Sequence, residues 1–226
     1  MSLSDRNKKV ANNRWSKRIE QENNNIKTDN KSMLFRAAIC GFLAGDGSVQ
    51  VRKQRSHYRY DIYFFPDDEK MLQAYLDMIK YIYNKNPAVK RKTKFYSVRI
   101  TSVAIAKDIL KYSTFGIKTW TIPGYLESVK GAKEEWLKAF FSAEGYVSKN
   151  TIRIQTVNKL GISQISHLLD TLNINHRCFK YTPKKENHSE VAILIIIRKS
   201  DRHKFYDQIG FYHNKKEILL RKTLDL

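Results

Sequence analysis

Acidic residues are scarce in this chain. Lys and Arg number 42 against 22 Asp and Glu, a formal charge of +20 over 226 residues. The excess runs along the chain rather than sitting in a tail, which points to nucleic acid or an anionic membrane surface as partner. Long apolar runs are missing too: the longest, VAILIII from Val191 to Ile197, is strand-sized. It falls far short of the roughly 20 residues of a membrane span. The N-terminal MSLSDRNKKVANNRWSKRIE has no apolar signal-peptide core, so secretion is not expected. Only two cysteines occur, Cys40 and Cys178. They cannot form a zinc cluster of familiar spacing and are expected as buried thiols in a reducing compartment, cytoplasm or organelle matrix.

Apolar residues, by contrast, are plentiful at 42%, enough for a real core. Residues 1–31 are polar, with Lys8, Lys9, Arg14, Lys17 and Arg18 around Trp15, followed by the linker-like QENNNIKTDNKS. This arm reads as a flexible tail or as a basic arm following a DNA backbone. Ser32 can cap a helix running to Gly45. Strand patterns follow at Ser48 to Lys53 and Tyr58 to Phe65. A helix opened by Pro66 and the acids Asp67, Asp68 and Glu69 runs to about Tyr83. Strands at Ala88 to Lys92 and Phe95 to Thr101 and a helix at Val103 to Tyr112 complete a first half, 32–118. Residues 119–132 form a link. The second half, 133–226, repeats the order: a helix to Ala143, strands at Tyr146 to Ser148 and Thr151 to Val157, and a helix near Leu160 to Leu172. Strands at His176 to Tyr181 and at EVAILIII follow, then a helix opening at Ser200-Asp201. Each half reads αββαββα, an internal duplication.

Two short stretches superpose in register. Asp46 and Glu144 stand 98 residues apart, and at that offset Phe42 meets Phe140, Gly45 meets Ala143, Gly47 meets Gly145 and Val49 meets Val147. Ala37, Gly41 and Gly45 in one copy, and Ala139 and Ala143 in the other, share one helical face. Two such helices packed in parallel through their small faces would set Asp46 and Glu144 side by side. Carboxylates so placed repel, with raised pKa values unless a cation lies between them. A divalent metal resolves that conflict, aided by the free helix-end carbonyls of Gly45 and Ala143. Gly47 and Gly145 would permit the sharp turn into the next strand.

ICGFLAGDG (Ile39 to Gly47) and LKAFFSAEG (Leu137 to Gly145) resemble two copies of the LAGLIDADG motif, in the arrangement of a single-chain homing endonuclease. Cys40, Lys138 and Ala139 depart from the motif without touching the carboxylates. The resemblance implies an α+β fold of two pseudo-symmetric αββαββα halves whose antiparallel sheets form a DNA-binding saddle. It implies a monomer that cuts a long, partly asymmetric double-stranded DNA site, one phosphodiester per strand, leaving short 3′ overhangs. Mg²⁺ would be held by Asp46 and Glu144, with Mn²⁺ substituting and Ca²⁺ binding without supporting cleavage. A basic residue is implied late in each half, best matched by Lys118 and Lys216, with Lys215 a rival to the latter. A polar residue is implied near the end of the second strand, where this chain has Phe65-Pro66-Asp67; Asp61 is the alternative.

Strand alternation sets the DNA face. It frees Gln50, Arg52, Arg59, Asp61, Tyr63, Ser97 and Arg99 in the first half, and Arg153, Gln155, Arg177, Phe179 and Tyr181 in the second. Arg and Gln suit bidentate bonds to guanine and adenine edges. Lys53, Arg55, Lys90, Lys92, Lys149, Lys184 and Lys185 are expected in loops, neutralising phosphates. Two rival readings keep the fold: an RNA maturase acting on its own intron, and a DNA-binding regulator that does not cut. Intact carboxylates favour cleavage. An intein-embedded enzyme is not expected, since residue 1 is not Cys or Ser and no terminal His-Asn is present.

Overall fold

The computed structural model describes residues 3–54, 57–182 and 189–226. The segment expected as a tail or arm begins with a helix, α1 (Leu3–Asn24). No apolar stripe announced it, because its anchorage is polar and distant in sequence. Glu22 accepts the Ser102 hydroxyl at 2.6 Å and the Lys85 ammonium at 3.1 Å. The linker-like stretch is equally tied down. The Lys27 N–H donates to the Ile82 carbonyl at 3.0 Å, and the Lys27 carbonyl accepts from Arg36 at 2.7 Å.

The first motif helix, α2 (Asn30–Asp46), starts earlier than Ser32. Its cap is Asp29, whose carboxylate accepts the Ser32 N–H at 2.8 Å. Ser32 is instead a buried residue of the first turn, accepting from Arg36 at 3.0 Å. After α2 come β1 (Gly47–Gln54), β2 (His57–Phe64), α3 (Glu69–Tyr83), β3 (Ala88–Arg91), β4 (Tyr96–Thr101) and α4 (Val103–Leu110). The second unit runs α5 (Ala132–Glu144), β5 (Tyr146–Val147), β6 (Ile152–Thr156), α6 (Lys159–Thr171), β7 (Arg177–Tyr181), β8 (Val191–Ile196) and α7 (Lys199–Gln208). The αββαββα order therefore occurs twice. One further helix, α8 (Asn214–Leu224), was not distinguished from sequence. Two antiparallel sheets result, ordered β1-β2-β4-β3 and β5-β6-β8-β7. Their equivalent topology is the duplication expressed in hydrogen bonds.

Inner and outer faces follow the pleat. Ile62, Phe64, Val98 and Ile100 are buried on the inner face of the first sheet, and Ile152, Ile154, Leu194 and Ile196 on that of the second. The core continues through Phe42, Tyr75, Trp136 and Phe140 between the sheets and their helices. The β1–β2 hairpin reaches beyond this core: Val51 shares the face of Val49 yet is 47% exposed. Cys178 likewise departs from expectation. It faces inward by register on the edge strand β7 but remains exposed, while Cys40 is buried. A buried ion pair, Arg36 to Asp108 at 2.8 Å, locks α2 to α4, with the Tyr83 hydroxyl donating to the same carboxylate oxygen at 2.9 Å. Every charged atom there has a partner, which is the condition for tolerating buried charge.

A candidate two-carboxylate site at paired helix ends

Helices α2 and α5 pack through the small residues at which their backbones approach. A Cβ added at Gly41 would lie 2.4 Å from the Trp136 carbonyl, and one at Gly45 would lie 2.5 Å from the Ala143 Cβ. Nothing larger than hydrogen fits at either place. Gly47 and Gly145 are required for a different reason from the one expected. Their φ values of −133° and −72° are open to any residue. What excludes a side chain is crowding: a Cβ would meet the Leu43 side chain at 2.6 Å in one copy and the Phe141 carbonyl at 2.3 Å in the other.

This packing delivers Asp46 and Glu144 to one place. Burial raises the pKa of each above the usual carboxylate value, and the Asp46 charge raises that of Glu144 further. Lys216, from α8, enters the same site. Its ammonium donates to the carbonyls of Ser142 at 2.6 Å and Ala143 at 2.9 Å, at the C-terminal end of α5. Burial lowers its pKa, opposed by Asp67, Asp46, Glu144 and Asp68. An ammonium seated on helix-end carbonyls and facing four carboxylates marks the point as cation-seeking. Lys215, one residue earlier, is exposed, so Lys216 is the lysine the fold brings in.

Lys118 occupies an exposed turn beside Val157, Asn158, Lys159 and Glu190, while its neighbour Ile117 lines the cleft that holds Gly45 and Glu144. Asp67, which follows β2, also acts on Lys216. The Asp67 carboxylate lies 3.3 Å from His213 Nε2, and Asp68 lies 3.5 Å from His213 Nδ1. Hydrogen bonding to His213, then the charges of His213 and Lys216, hold Asp67 below the usual carboxylate range. The pair of His213 and Lys216 was missed as a unit, since α8 is joined to the site through tertiary contacts. Ser142 Oγ accepts the Tyr212 N–H at 2.7 Å and so fixes the entry to that helix. A serine interrupting the apolar motif FFSAEG was the signal available.

Most of the expected DNA-face residues do lie on outward faces. Gln50 pairs with Asp61 and Arg52 with Arg59 across β1 and β2, and Tyr63 pairs with Arg99 across β2 and β4. Asp61 is on this face but is not free for a base: it is 1% exposed. Its carboxylate accepts from Arg59 at 2.9 Å, Arg99 at 3.0 Å and Thr101 at 2.6 Å. Burial works to raise its pKa, yet these donors hold it below the usual value. Asp61 therefore positions two arginines. On the second sheet Arg153 and Gln155 of β6 share the outer face with Arg177, Phe179 and Tyr181 of β7.

Two expected loop cations sit in strands. Lys53 lies in β1 on the Val49 side, and Lys90 lies in β3 paired with Ser97 on the outer face. Lys92 and Lys149 are exposed in turns. Arg55, Lys184 and Lys185 lie outside the described residues.

Comparison with known proteins places this geometry. Residues 132–210 match the family described as a LAGLIDADG-like domain. The homing endonuclease I-DmoI, in complex with DNA and Mn, superposes with a TM-score of 0.60 at 18% identity, covering 79% of this chain and 97% of that one. Full-length DUF199/WhiA from Thermatoga maritima superposes with a TM-score of 0.56 at 15% identity, covering 92% of this chain and 65% of that one. At such identities the likeness establishes the fold. A DNA polymerase of Thermococcus hydrothermalis is 24% identical over 201 residues, which is 82% of this chain but only 12% of the polymerase. The second half thus carries a LAGLIDADG-like domain, and the first half repeats its motif in register on the two-sheet fold that the chain shares with I-DmoI.

Proposed function

We propose that the protein is a site-specific, divalent-metal-dependent endonuclease that cuts both strands of duplex DNA. The observation that carries this reading is the meeting of Asp46, Glu144 and Lys216 at the paired helix ends, within a chain of charge +20. The donor set fits a hard cation. Two carboxylates of raised pKa, one from each half, are oxygen ligands of the kind Mg²⁺ or Mn²⁺ takes, while the Ala143 carbonyl expected beside them accepts from Lys216. Among the described residues no group of three or more His, Cys, Asp or Glu is placed to hold a metal ion by itself. The protein therefore supplies part of a coordination shell, and phosphate and water complete it, as Mg²⁺ sites on nucleic-acid substrates usually require. Bound there, the metal would activate water and offset charge on the leaving oxygen.

The chain's own residues divide the remaining work. Asp46 and Glu144, one from each half, each serve one strand, which suits a double-strand break with short 3′ overhangs. Lys216 holds a positive charge where the scissile phosphates converge. His213 and Asp67 orient one another beside it. The basic outward faces hold the duplex by its phosphates and read base edges.

The test is a plasmid library carrying random inserts, or the uninterrupted junction of a candidate host gene. It is incubated with wild-type or Asp46→Asn protein in Mg²⁺ or Ca²⁺. Linear product with wild type and Mg²⁺ alone supports the reading. Tight binding with no cutting in Mg²⁺ or Mn²⁺ overturns it in favour of a binding protein on the same fold.

A further inference from the structure

The two sheets present different chemistry on their outward faces. On the first, Arg59, Asp61, Arg99 and Thr101 are joined by hydrogen bonds across β2 and β4. On the second, the central strand β8 turns Val191, Ile193 and Ile195 to the same side as Arg153 and Gln155. Their inward neighbours Ala192, Leu194 and Ile196 are buried, whereas these three stay partly exposed. A strand apolar on both faces is the pattern of one covered on both sides. Across β7, Phe179 is 48% and Tyr181 54% exposed, widening the apolar strip.

The strip is continuous with the carboxylate site: Val191 and Gln155 line the same cleft as Glu144. At its other end Ile195 adjoins Arg177 and Arg198, and Arg153 stacks on Tyr146 with 5.2 Å from guanidinium to ring centre. Cations surrounding an apolar strip call for a polyanion that carries apolar groups. The major groove of duplex DNA offers one such group, the 5-methyl of thymine. Resting on the DNA reading above, we infer that the second half recognises thymine methyl groups through Val191, Ile193 and Ile195. The first half, with its buttressed arginines, reads its share of the site by hydrogen bonds. RNA carries uracil without this methyl, so the strip also separates DNA from RNA.

The experiment selects a binding site from random duplex DNA in Ca²⁺, using the full-length protein. Deoxyuridine then replaces thymidine in one half of the site at a time, and dissociation constants are measured. One half is expected to lose about fourfold in affinity per methyl removed, the worth of a buried methylene, and the other to be insensitive. Ile193→Thr and Ile195→Thr keep strand propensity; each should weaken binding to the thymidine site while binding the deoxyuridine site as wild type does. A merely structural role would weaken both sites equally and overturn the inference. Tight selective binding that ignores the methyl groups in both halves would also overturn it, leaving the endonuclease reading intact. Failure to select any site would remove the DNA reading itself. A concentration-dependent dimer that Ile193→Thr abolishes would assign the strip to a second copy of this chain and refute the inference.

Discussion

Lys216 and Asp61 are the residues whose surroundings make the sharpest demands. Lys216→Met should lower the cleavage rate by roughly 10²-fold, the scale of losing one preorganised electrostatic contact. The same change at the exposed Lys215 should leave the rate near wild type. Single-turnover cleavage of a labelled site distinguishes them; equal losses at Lys215 and Lys216 would reject the assignment of Lys216. Asp61 makes a pH prediction. Its folded pKa is depressed, so its contribution to stability is complete above the unfolded value near 3.9 and is lost as pH falls through the folded value. Asp61→Asn should therefore destabilise most at neutral pH, on the order of 1 kcal/mol. The magnitude is modest because Arg59 and Arg99 are 36% and 41% exposed. Thermal unfolding of both proteins between pH 7 and pH 3 should show the difference closing on the acid side; a constant difference would contradict the buttress.

At the scale of elements, the α2–α5 seam governs both stability and chemistry. Gly45→Ala places a Cβ against that of Ala143, and overpacking of this kind costs about 1–3 kcal/mol. Ala143→Gly should restore much of it, giving a coupling of about 0.5–3 kcal/mol between the two positions. Denaturant titration of the four proteins measures that coupling, and strict additivity would mean that the helices do not touch there. This seam was legible in the sequence because close helix approach demands small residues at a fixed period, and the period is visible in Gly41, Gly45, Ala139 and Ala143. The alternating strands were legible for the same reason. Helix α1 was not, since Glu22 finds Ser102 and Lys85 across more than 60 residues and leaves no periodic trace. Nor was the meeting of His213 with Asp67 and Asp68 beside Lys216, which joins the end of β2 to the start of α8 through tertiary contacts alone.

For the whole molecule, the charge of +20 and the basic outward faces predict electrostatic affinity. Binding should weaken linearly on a log–log salt plot, by roughly 0.9 for each phosphate neutralised. Fluorescence anisotropy from low to moderate salt measures the slope, and a flat response would deny a broad phosphate-contacting surface. The meeting of Asp46, Glu144 and Lys216 has a further consequence, in the time order of synthesis. A growing chain that has released α2 holds one acid, and one that has released α5 holds two without the lysine. Only when α8 leaves the ribosome can the site close. A chain that stops short of α8 thus carries both acids with no ammonium on the carbonyls that end α5.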